Sequence, residues 1–104
     1  MKRDVFLMRQ AEGDLDGILA WLSGRSPSGA KSWFKALEAA ISWLEKHADS
    51  CPLAPENDRF EEEIRERLFN TKRGRPYRLL FVSAGKQVRI LHIRGPGQDL
   101  VRPQ

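Results

Sequence analysis

The chain of 104 residues has one cysteine, Cys51, and no long hydrophobic run. A single thiol rules out an internal disulfide framework and any metal site built on cysteines, and it suits a reducing compartment. The ordinary role for Cys51 is that of a small, half-buried residue beside Pro52. No window approaches the roughly 20 apolar residues that cross a bilayer, and residues 1–9 contain no apolar stretch of signal-peptide length. A soluble, cytoplasmic protein with no membrane partner is expected. Also missing are a phosphate-binding glycine loop, a dinucleotide fingerprint, a metal-binding histidine pair and a serine-nucleophile motif. Their absence argues against nucleotide hydrolysis and metal-dependent catalysis, so neither a cofactor nor a metal is expected. Residues 1–104 are read as one domain, large enough for a core of about a dozen big side chains but not for a deep enclosed cavity.

Acidic residues are scarce in one region. Over residues 1–50 seven cations face seven anions, whereas residues 64–94 hold Arg65, Arg67, Lys72, Arg73, Arg75, Arg78, Lys86, Arg89 and Arg94 against Glu66 alone, nine minus one giving +8. The overall charge of +4 conceals this basic stretch. Immediately before it lies an acidic run, Glu56, Asp58, Glu61, Glu62 and Glu63. Such a run either lies against the basic face or is simply solvated, and solvation is the expectation.

Asp4-Val5-Phe6-Leu7-Met8 reads as a short extended run, after which Ala11, Leu15, Ile18, Leu19 and Leu22 fall on one face of a helix that Gly24 ends. Ser26-Pro27 offers an N-cap hydroxyl and a proline at the first helical position. The second helix carries Trp33, Phe34, Leu37, Ala40, Ile41 and Leu44 and ends near His47, making a hairpin that packs on something flat. Trp21 and Trp43 are read as packing residues. After a proline-broken connector at residues 51–57, residues 64–70, 77–83 and 86–94 read as strands, the last two joined by a tight turn at Ala84-Gly85. The fold class is α+β: an N-terminal strand, a two-helix hairpin, then a three-stranded antiparallel sheet with the hairpin on one face.

Alternation along strands puts Arg65 and Arg67 on a common side, sets Arg78 opposite Tyr77 and Leu79, and groups Lys86, His92 and Arg94. The cations are expected on the face that the helices leave uncovered, where guanidinium forks suit phosphate. A metal-independent ribonuclease must also move protons, and the candidates near the cluster are His92 and Tyr77. Each also has a plain structural reading, His92 as a hydrogen-bonded strand residue and Tyr77 as packing with a wet hydroxyl. His47 suits the negative end of the second helix.

These residues together resemble the RelE/ParE superfamily, the toxins of bacterial type II toxin–antitoxin systems often labelled plasmid stabilisation proteins. The resemblance runs through Gln10-Ala11-Glu12-Gly13-Asp14-Leu15, Ala30-Lys31-Ser32-Trp33-Phe34, Ile64-Arg65-Glu66-Arg67-Leu68, Tyr77-Arg78-Leu79-Leu80-Phe81 and Val88-Arg89-Ile90-Leu91-His92-Ile93-Arg94. It implies a growth-inhibiting toxin whose partner is a cognate antitoxin. RelE-like members cut mRNA on the ribosome as endoribonucleases, and ParE-like members poison DNA gyrase. By position, Arg78 matches the arginine that stabilises the scissile phosphate in RelE-like members, with Arg65 and Arg67 as the preceding basic pair; His92, from the strand reading above, completes the candidate catalytic set. Lys72, Arg73, Arg75, Tyr77, Lys86, Arg89 and Arg94 are then candidates for contacting nucleic acid or antitoxin. After the last strand RelE-like enzymes usually offer further arginine, histidine or tyrosine, where this chain has Gly95-Pro96-Gly97-Gln98-Asp99-Leu100. The alternatives left open are ribosome and mRNA, DNA gyrase, and a catalytically inactive basic binding module. The helical hairpin also offers a face for a homodimer.

Overall fold

The computed structural model describes residues 2–72, 74–96 and 98. Strand β1 (Asp4–Leu7) leads into helices α1 (Arg9–Arg25) and α2 (Pro27–His47), and strands β2 (Arg65–Phe69), β3 (Tyr77–Ala84) and β4 (Gln87–Arg94) follow. Short 3-10 turns at Ala48–Ser50 and Asn57–Arg59 lie in the connector between α2 and β2. None of the helices is long and apolar enough to cross a membrane.

Pro27, not Gly24, terminates α1. A residue before proline is pushed to extended backbone, and Ser26 obeys at φ −160° and ψ 106°. Ser26 then serves both helices. Its N–H donates to Leu22 O at 2.8 Å to close α1, and its Oγ accepts from the Gly29 N–H at 3.0 Å to open α2.

The sheet has four strands in the order β1-β4-β3-β2, with β3 antiparallel to both neighbours. This corrects the three-stranded expectation: β1 adds beside β4 in parallel, Val5 opposite Val88 and Leu7 opposite Ile90. The addition covers half of β4's free edge and packs Val5 and Leu7 onto the main core. The β3–β4 turn falls at Gly85-Lys86, one residue later than expected, where Gly85 takes φ +60°, a left-handed value that suits glycine.

The main core joins Ala11, Trp33, Leu37, Ala40 and Leu44 of the helices to Phe69, Leu79, Phe81, Val88, Ile90 and Ile93 of the sheet. Two expected core members are outside it. Trp21 is 57% exposed and Phe34 stands at the surface. On the opposite face Ala54, Ile64, Leu80 and Val82 form a second, smaller core, with Phe60 and Leu91 packed on it. Residues 52–64 therefore cover much of the face that was expected to be bare. β3 is consequently buried on both sides, which explains its unbroken Leu79-Leu80-Phe81-Val82 run.

Candidate functional site

Strand register decides where the cations point. Arg65 and Arg67 lie opposite Phe81 and Leu79, two residues of the helix-side core, so both project toward the helices. Arg78 projects the other way, with Leu80 and Val82. A bulge between Leu80 and Phe81 makes Leu91 the extra residue of β4. Arg89, His92 and Arg94 thereby share the Arg78 side, across from Val82, Leu80 and Arg78. Plain alternation would have set Arg89 opposite His92. The cations do not gather on one face, and the expected catalytic set of Arg65, Arg67, Arg78 and His92 is split two and two.

The Arg78 side is closed by the chain's own acids. The Arg78 guanidinium donates to Glu56 Oε1 and to Glu66 Oε1, each at 2.5 Å, and Glu56 is fully buried. Burial opposes the charge on Arg78, but hydrogen bonds from Glu56 and Glu66 overcome it and raise its pKa. Arg89 pairs with Glu62 at 2.6 Å, and Arg65 reaches Glu63 at 3.4 Å while donating to Cys51 O at 2.6 Å. The expectation that the acidic run is merely solvated is thus corrected. With +8 over residues 64–94 and the second core anchoring residues 52–64 to the sheet, Glu56, Glu62 and Glu63 of the run settle against cations, while Asp58 and Glu61 are exposed. Glu56 was legible in the sequence as part of the acidic run but not as a residue buried against Arg78, although the charge imbalance downstream was a signal that a counter-charge was needed. Among the described residues no group of acids, histidines and cysteine is arranged to hold a metal.

His92 Nδ1 is 3.9 Å from Asp14 Oδ2, the oxygen that accepts the Ile93 N–H at 2.9 Å. Asp14, on α1, thus caps part of the β4 edge that β1 does not reach. Burial lowers the His92 pKa, and the pull of Asp14 offsets this only in part. The neutral imidazole is therefore favoured more than in a free histidine. Tyr77 belongs to the other face, in an aromatic cluster with ring centroids 5.3 Å from Trp33 and 5.9 Å from Phe69. Burial raises its pKa. Arg67 lies over the Trp43 ring at 3.8 Å, a cation–π contact.

The remaining candidates lie at the two ends of the sheet. Lys72 and Arg75 are exposed in the β2–β3 loop, and Arg73 falls outside the described residues, as do Gly97, Asp99 and Leu100 of the tail. Arg75 and Tyr77 border a groove of about 750 Å³ that also has Ile18, Trp21, Trp33 and Pro96 in its wall. Lys86 lies in the turn at the opposite end, beside Arg3, Lys46 and His47.

This architecture has relatives. Residues 5–100 match the family model described as ParE toxin of type II toxin-antitoxin system, parDE. The chain belongs to the ParE toxin family. A solved structure titled "Chromosomal ParDE TA system from P. aeruginosa" superposes on this ParE-family chain with a TM-score of 0.67 at 21% identity, covering 90% of this chain and 96% of that one. At that identity the likeness speaks for the fold. No curated protein sequence matches the chain significantly.

Proposed function

We propose that this ParE-family chain is a growth-inhibiting toxin, neutralised by a cognate antitoxin, that acts on DNA gyrase and not as a nuclease. The observation that carries the reading is the Arg78 guanidinium held between Glu56 and Glu66. Stabilising a phosphorane needs a cation whose donors are free to meet developing negative charge. A guanidinium whose charge is already answered by two carboxylates, through Nε and Nη2, meets that need poorly. Proton transfer fares no better, because His92 and Tyr77 lie on opposite faces of the sheet and Arg65 and Arg67 are turned away from Arg78. Poisoning a partner protein needs only a surface, and the fold offers several.

Inducible expression with parallel labelling tests this. Chromosome breaks and an SOS response should precede any fall in translation, and mRNA 5′ ends should stay unchanged. New mRNA ends during arrest would overturn the reading. The triple variant Arg78→Met, Glu56→Leu, Glu66→Gln removes the ion cluster without stranding a charge, and it should stay toxic. A nuclease relying on Arg78 would lose its toxicity. Co-expression of the product of the adjacent gene should restore growth.

A further inference from the structure

β2 is an edge strand, and part of its outer edge is open. Ala54 N–H donates to Ile64 O at 2.7 Å and Glu66 N–H donates to Pro52 O at 3.0 Å, so the even-numbered residues turn their backbone groups away from β3. Residues 52–54 cover the first two such positions. At the third, the Leu68 N–H and C=O have no backbone partner among the described residues, and Leu68 itself is 51% exposed. Proteins usually cover or charge such an edge, because unpaired backbone groups invite another strand.

A hollow lies on each side of this edge. On the helix side one of about 420 Å³ is bordered by Trp43, Cys51, Pro52 and Arg67. On the other side one of about 260 Å³ is bordered by Leu68, Arg75, Pro76 and Pro96. Successive side chains of a strand point to opposite faces, so a strand laid along Leu68 sends alternate residues into the two hollows. Trp43, Cys51 and Pro52 favour apolar side chains in the first. In the second, the exposed Arg75 has no ion-pair partner among the described residues and favours a carboxylate, Arg78 being already engaged. We infer that the outer edge of β2 at Leu68 is a docking edge for an extended segment of a partner protein in which apolar and acidic residues alternate. A second copy of this chain is a poor occupant, since antiparallel β2–β2 pairing centred on Leu68 would set Arg67 opposite Phe69 and diagonal to its own copy, with no carboxylate facing it. The inference holds whichever target the toxin strikes.

The probe is a capped hexapeptide alternating valine and glutamate, titrated into the full-length ¹⁵N-labelled chain, with a valine–lysine peptide as control. Shifts confined to residues 66–70 and slowed hydrogen exchange of the Leu68 amide are expected. Leu68→Pro deletes only an outward N–H, which an edge strand tolerates. It should weaken binding at least about tenfold, whereas Leu68→Ala keeps the donor and most of the affinity. Arg75→Glu, in an exposed loop, reads the charge independently of strand geometry and should exchange the preference between the two peptides. No shift at millimolar peptide, shifts at Ile18 and Trp21 instead, equal binding of both peptides, or an unaffected Leu68→Pro would overturn the inference. A dimer of the free chain that Leu68→Pro abolishes would also overturn it.

Discussion

Glu56 is buried completely, and its carboxylate meets a guanidinium that is itself only partly exposed. Removing one member of such a pair leaves the other desolvated without compensation, which costs several kcal/mol, whereas replacing the whole pair by apolar groups is often neutral or better. Glu56→Gln should therefore destabilise the fold by about 3 kcal/mol, toward the low end because Glu66 still holds Arg78. Glu56→Leu combined with Arg78→Met should recover most of that loss. Urea denaturation midpoints of the two variants give the comparison. His92 supplies a pH signature. Its folded pKa lies below the ordinary 6.5, so the unfolded chain takes up the proton first as pH falls. Stability should decline as pH drops through and below that value, and His92→Gln should flatten the slope in thermal midpoints measured between about pH 7 and pH 5. Asp49 acts in a separate, more acidic window. Its hydrogen bond from Arg3 holds its carboxyl well below the ordinary 3.8, so the stability it contributes is present above that value and lost as pH falls below it.

The helical hairpin turns on one residue. Ser26 closes α1 with its backbone and opens α2 with its side chain, while Pro27 forces the break between them. Ser26→Ala should cost about 1 kcal/mol by stranding the Gly29 donor, with helix content by circular dichroism unchanged and the thermal midpoint lowered. This element was legible from local chemistry because cap, proline and apolar stripe lie within a few residues of one another. Gly24 misled, since a glycine in a helix's last turn ends it only where the following chain takes a left-handed turn, and here the proline acts first. The β-strands were legible in number and approximate span. Which face each arginine takes was not, because a single bulge at Leu91 reverses the alternation for everything before it in β4.

At the scale of the whole molecule, the strong basic excess of residues 64–94 does not form one basic surface. Arg78, Arg89 and Arg65 are answered by Glu56, Glu66, Glu62 and Glu63, and among the described cations of that stretch only Lys72, Arg75 and Lys86 are exposed, the first two at one end of the sheet and Lys86 at the other. Among the described residues, that stretch offers a nucleic acid only two or three contacts at any one end. Binding of single-stranded RNA to the free chain should therefore be weak, falling by no more than about twentyfold between 50 and 200 mM salt, against the roughly 10³-fold or more of a true polyanion track. Fluorescence anisotropy at a series of salt concentrations measures that slope, and a steep one would restore the idea of a phosphate-gripping face.

The residue order alone determined the α+β class, the helical hairpin with its Ser26-Pro27 joint, the antiparallel pairing of the last three strands and the resemblance to RelE/ParE toxins. The first three follow from periodicities and turn chemistry that act over a few neighbouring residues, and the resemblance rests on the residue segments themselves. Only the tertiary structure decided that β1 joins the sheet in parallel, that residues 52–64 cover its second face and that Glu56 neutralises Arg78. Those outcomes depend on contacts between residues far apart in the chain. Register and burial, which set the partner of each charge, come into being only when the strands pair and the second core closes.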